Sequence, residues 1–219
     1  ISTQFAHASF QNISTTQVAI DETAGTGDLL SVAGAGGDQK GEVYGYAAGA
    51  NLFTSTALVA GRTMGCVDED NIFYIAAVDN TGHCEVRRIA TDSTQSWATT
   101  ITVPTASNLA GIAAFDGKVY VNIQSSSGAV GVTHGIYRLV SDTGTQVESV
   151  PWLNTATNTL AYTRDPMTVA YQQISIGGGI LAVAGRVGST LVLQQFSLTD
   201  GSLSHTNTLQ SSFAHYPCK

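Results

Sequence analysis

The chain has 219 residues, 16 of them acidic and 9 basic, for a formal charge of −7. That balance repels a phosphate backbone and no Lys/Arg cluster offsets it locally, which excludes nucleic acid as an expected partner. Only 11% of residues are charged and 43% are hydrophobic, the profile of a folded chain, while no apolar run approaches the ~18 residues that cross a bilayer.

One all-β domain is expected at this length. The chain starts at Ile1 without a Met, from which the expectation is that a leader or a larger upstream region has been removed. Phe5-Ala6-His7 returns as Phe213-Ala214-His215. Residues 1–16 therefore read as a terminal segment that completes a unit of the repeat, 17–210 as the repeated body and 211–219 as a C-terminal segment.

From Gln17 the same order of parts recurs. The first unit has a short strand at 18–20, an Asp/Gly-rich turn through Asp28, an apolar run at 29–34, a third strand at 42–48 and a fourth at 53–59. The second has strands at 63–67, 72–77, 84–90 and 97–103, with Asp68-Glu69-Asp70-Asn71 as its first turn. The third has strands at 109–115, 118–123, 135–141 and 146–152, turning at Asp116-Gly117 and Asp142-Thr143-Gly144. The fourth has strands at 167–176, 180–185, 191–198 and 203–209, turning at Gly177-Gly178-Gly179 and Asp200-Gly201. These turn residues tolerate positive φ, so the acids among them, Asp68, Glu69 and Asp70 included, read as turn formers rather than a metal site.

The apolar runs start at residues 29, 72, 118 and 180, a spacing of 43, 46 and 62 residues. The second strands are nearly continuous in apolar residues, as expected of strands covered on both faces, whereas the fourth strands alternate with Ser and Thr, as outer strands do. By unit plan and period, residues 17–210 resemble β-propellers of the broad WD40 and quinoprotein-like kind. The resemblance is architectural. No Gly-His and Trp-Asp pair marks a unit, and neither vicinal cysteines nor a cofactor-stacking tryptophan is placed, so it implies the fold and no cofactor. Four units make either a small closed ring, a ring completed by the chain ends, or a part of a larger propeller.

The tight turns put the first-to-second and third-to-fourth connections at one structural end. Longer loops fall at the other end, at 35–41, 79–83, 124–134, 186–189 and between units at 153–166, where binding residues tend to sit. Arg62, Asp79, His83, His134, Tyr162, Arg164, Asp165 and Arg186 are the candidate contact residues of that face, a mixed polar surface suited to a partner protein or a sugar. The alternative is an ordinary solvated rim.

Catalytic signals are sparse. Asp165 starts an inner strand without a second carboxylate placed to face it, although Asp79 lies across the rim. No Gly-x-Ser-x-Gly elbow is present, and the histidines form no ligand spacing. Cys66 and Cys84 read either as a local disulfide or as two buried thiols, with Cys218 placed to bridge elsewhere. The sequence reads as a non-enzymatic, extracellular or surface-exposed β-propeller, on a cell surface or virion, that binds a protein or assembles with itself. A carbohydrate-binding lectin is the alternative, and a glycoside-acting enzyme a lesser one.

Overall fold

A computed structural model describes residues 17–20, 28–33, 40–45, 51–54, 62–70, 72–78, 81–89, 95–105, 107–125, 135–154, 174–187 and 190–210. These form four antiparallel four-stranded sheets, or blades, each with its strands in chain order. Blade 1 holds β1 (Gln17–Ile20), β2 (Asp28–Ala33), β3 (Lys40–Gly45) and β4 (Asn51–Thr54); blade 2 holds β5 (Arg62–Val67), β6 (Phe73–Val78), β7 (His83–Ile89) and β8 (Gln95–Thr102). Blade 3 holds β9 (Ser107–Phe115), β10 (Lys118–Ser125), β11 (Gly135–Val140) and β12 (Leu153–Asn154); blade 4 holds β13 (Ile174–Gly177), β14 (Ile180–Val187), β15 (Thr190–Ser197) and β16 (Leu203–Gln210).

First strands pack in series, β1 against β5, β5 against β9 and β9 against β13. That arrangement, with the sheets stacked face to face about a common axis, is a β-propeller. Contacts of this kind order the described blades along an arc from 1 to 4.

Burial follows the stacking. In β6 all six residues are buried: Tyr74, Ala76 and Val78 pack with Val119, Val121 and Ile123 of blade 3, while Phe73, Ile75 and Ala77 are equally buried on the other face. In β10 the alternate residue Tyr120 belongs to a second cluster, with Leu181, Val183 and Phe196 of blade 4. The expectation of two covered faces fails for β14. Leu181 and Val183 are buried, whereas Ile180 is 37% exposed and Ala182 is partly exposed. Blade 4 is covered on one side only.

The turns are those the sequence asks for. Asp116 and Gly117 have φ of 49° and 69°, the two-residue hairpin with both central residues at positive φ, and Gly178 and Gly179 repeat it at 60° and 77°. The β5–β6 turn is held by Asp68, whose Oδ1 accepts the Asp70 and Ile72 amides at 2.9 Å each and whose Oδ2 accepts the Tyr74 hydroxyl at 2.9 Å.

Two sequence expectations are corrected and one left open is decided. The fourth strand of blade 3 is not 146–152: Gln146 bridges Leu139 and the Val147 amide bonds the Arg138 carbonyl at 2.9 Å, but strand pairing resumes only at Leu153–Asn154. Pro151 has no N–H to give a ladder, and Glu148 pairs with the Arg138 guanidinium in the segment between. Strand pairing also aligns Leu29 with Phe73 and Leu181, one residue off the alignment by run starts, since their β3, β7 and β15 partners are Tyr44, Ile89 and Phe196. A continuous apolar run carries no phase, and one residue of slip exchanges the faces. Finally, Cys66 and Cys84 are buried thiols, not a disulfide, because β6 lies between them, Cys66 opposite Tyr74 and Cys84 opposite Val78.

Burial, with the Asp68 carboxylate nearby, pushes the Cys66 thiol well above its ordinary range. The native protein is therefore expected to leave Cys66 and Cys84 unmodified by a charged maleimide at neutral pH, and both to react in guanidinium, as read by peptide mass mapping.

Candidate functional site

The side chains of Arg62, Asp79, His134, Tyr162, Arg164, Asp165 and Arg186 lie outside the described residues, as do Cys218 and the segments 1–16 and 211–219. His83 is described: it is exposed at the start of β7, with Nδ1 3.0 Å from the Thr81 hydroxyl. The side-chain chemistry on view is at the opposite, tight-turn end, where one blade meets the next.

The pairing of β3 with β4, β7 with β8 and β15 with β16 is bulged at one equivalent place, and the fourth-strand residue beyond it is Phe53, Trp97 and His205 in turn. At the joint of blades 2 and 3 the Trp97 indole N–H donates to the Ser141 carbonyl at 2.8 Å, and the Thr99 hydroxyl donates to the Gly144 carbonyl at 2.8 Å. Gly144, at φ 69°, closes the β11 turn through its amide to the Val140 carbonyl, 2.8 Å. A Cβ there would stand 2.6 Å from the Trp97 ring. The left-handed turn and the flat ring thus both require glycine.

The joint of blades 3 and 4 repeats the device with different support. Gly201, at φ 73°, closes the β15 turn through its amide to the Ser197 carbonyl, 2.9 Å. Its Cβ position lies 3.3 Å from the ring of Trp152, which arrives from the displaced segment before β12. Tyr120 meets that ring edge-on at 5.9 Å, and the Arg138 guanidinium lies 4.4 Å above it. In blade 2 the corresponding cross-strand row is Tyr74, Arg88 and Trp97; in blade 4 it is Ala182, Gln195 and His205.

Between the turns of blades 2 and 3 lies a cleft of about 50 Å³ lined by Asp68, Glu69, Asp70, Arg88, Lys118 and Asp142, among others. Three of its four acids are engaged: Asp68 holds its own turn, Glu69 accepts the Asp116 amide at 3.1 Å, and Asp142 stands 3.9 Å from Arg88. The volume suits a water or two rather than a substrate. Among the described residues no group of His, Cys, Asp and Glu is arranged to hold a metal ion.

The free side of blade 4 is the other feature. Ser175, Ile180, Ala182, Gln195 and His205 all stand at least partly exposed on the face that, in blades 2 and 3, receives the next blade. The strand pattern alone does not reveal the exposure of Ile180 and Ala182, since both are apolar.

No protein-family model matches the chain, and no curated protein does. Solved propeller structures do. BamB from Moraxella catarrhalis is 18% identical with a TM-score of 0.50, the match covering 83% of this chain and 50% of that one. The subtype N10 neuraminidase-like protein of A/little yellow-shouldered bat/Guatemala/060/2010 is 14% identical with a TM-score of 0.52, covering 94% and 61%. The Dos1 propeller is 10% identical with a TM-score of 0.52, covering 94% and 52%. The likeness is one of fold, and the chain spans about half to three-fifths of the length of these structures.

Two measurements test the joints. Trp97→Ala is expected to cost about 3 kcal/mol in chemical denaturation, and Gly144→Val about 2–4 kcal/mol from backbone strain and the clash with the ring. Burial also pushes up the hydroxyls of Tyr74 and Tyr120, and takes Tyr137 to about 12. A raised folded-state value means that stability is whole below the ordinary tyrosine range of about 10 and is lost as pH rises from there toward 12. Tyrosinate absorbance is expected to appear in step with alkaline unfolding.

Proposed function

We propose that the chain is a non-enzymatic assembly module, an arc of propeller blades that joins another protein through the free side of blade 4, in an extracellular or surface-exposed setting. The observation that carries this is the contrast between β6, buried on both faces, and β14, buried on one. A sheet face built on the same plan as two covered ones is a surface that a further blade, of a longer chain or of a partner, would cover. Low charge and a Ser/Thr-rich exterior support the setting.

A photo-reactive amino acid at position 182 tests the reading in the native host or particle, with one at Asp142 on the tight-turn end as comparison. Crosslinks from 182 to a polypeptide, and none from 142, are the expected result. Absence of crosslinks from 182 under conditions where the probe is activated would overturn it.

A further inference from the structure

The chain contains two Asp-Gly pairs, Asp116-Gly117 and Asp200-Gly201, and both lie in tight turns. An aspartate followed by glycine carries a latent reaction. The glycine nitrogen attacks the protonated side-chain carboxyl of the aspartate, a C–N bond forms as water leaves, and a succinimide ring closes. Water then adds back, and where it breaks the bond between the nitrogen and the main-chain carbonyl carbon, the backbone runs on through the side chain. The product is an isoaspartate of unchanged mass. Glycine favours the attack because no Cβ crowds its nitrogen and its backbone turns freely. The two turns differ in every group that the reaction uses.

At Asp200-Gly201 those groups are occupied. The Gly201 amide, the nucleophile of the reaction, donates to the Ser197 carbonyl at 2.9 Å. The Asp200 carboxylate accepts the Ser202 amide at 3.0 Å and the Ser202 hydroxyl at 2.8 Å, which disfavours the protonated form that loses water. The Cβ position of Gly201 is 3.3 Å from the Trp152 ring, so this peptide does not rotate without lifting off the tryptophan. At Asp116-Gly117 the same groups are open. Both residues are exposed, and a Cβ at Gly117 would meet nothing within 4 Å, which leaves the peptide between them room to rotate. The hydrogen bonds of this turn run through other atoms: Glu69 accepts the Asp116 amide at 3.1 Å, and the Gly117 carbonyl accepts the Ser141 amide at 3.0 Å. Among the described residues the Asp116 carboxylate and the Gly117 nitrogen have no hydrogen-bond partner.

We infer that Asp116 is a site of spontaneous isoaspartate formation in the folded protein, and that the fold protects Asp200 from the same reaction. The product adds one carbon to the backbone of the β9–β10 turn and so displaces Gly117 relative to Asp116. The bonds to Glu69 and to Ser141 then do not both stand as they are. The first of them ties the tight turns of blades 2 and 3 together. The modification therefore acts on a joint between blades, and not on a surface turn alone.

The test is ageing of the full native chain in mildly acidic buffer, followed by labelling with an isoaspartyl methyltransferase and a labelled methyl donor, and by peptide mapping. Label is expected in the peptide that holds Asp116. The peptide that holds Asp200 is expected to acquire it about a hundredfold more slowly, the weight of the three hydrogen bonds that must open there. In guanidinium the two sites are expected to react at comparable rates, because the difference lies in the fold and not in the dipeptide. Asp116→Glu, which needs a larger ring, is expected to remove the label from its peptide. Equal rates at the two sites in the native protein overturn the inference, as does an unlabelled Asp116 peptide in the native protein when the same peptide is labelled in guanidinium. Label that persists with Asp116→Glu places the reaction elsewhere and overturns it as well.

Discussion

A four-stranded sheet has two faces and cannot bury either by itself, so the stability of every blade depends on the contact with its neighbours. At the joints of blades 2 and 3 and of blades 3 and 4 the contact has a key: a glycine in the third-to-fourth turn of one blade lies on a tryptophan of the blade before it. Gly144 on Trp97 and Gly201 on Trp152 are the two described instances. The left-handed turn exposes a flat patch of backbone, the ring supplies a flat surface, and hydrogen bonds from Trp97 and Thr99 hold the two in register at the first joint. Apolar clusters then fill the space beneath, with Tyr74 facing blade 3 and Tyr120 facing blade 4.

The key is kept although the parts around it change. Blade 2 delivers its tryptophan from a regular strand just past a bulge. Blade 3 breaks its fourth strand and delivers Trp152 from the segment after Pro151, where Arg138 covers the ring and Glu148 pairs with Arg138. Two local routes reach one position, because the position is set by the neighbouring turn and not by the strand that carries the aromatic. Blade 4 places His205 at the equivalent register position, a smaller and more polar ring that is exposed.

The acidic turns illustrate how charge is spent in such a fold. Asp68 satisfies two amides and a hydroxyl, and Asp200 accepts the amide and hydroxyl of Ser202, which hold its carboxyl below the usual carboxylate range. These carboxylates close turns. Their grouping at one end of the molecule follows from the up-and-down course of the strands, which brings every tight turn to the same side.

The alternation of apolar runs with Asp/Gly turns in the sequence determined four sheets, their strand order and nearly all of their strands, because turn chemistry and strand period act over a few residues. It also made Asp116-Gly117 and Gly178-Gly179 legible as hairpins. The phase of blade 1, the broken fourth strand at Pro151 and the separation of Cys66 from Cys84 by β6 were decided by pairing between strands, which a run of apolar residues does not encode. So were the joints: Trp97 and Gly144 are 47 positions apart in number, and nothing local marks them as partners. Whether β14 has one covered face or two was settled only by what stacks on it, since Ile180 and Ala182 are apolar in either case. Local chemistry builds the blade, and the stacking of blades decides which of its faces is buried.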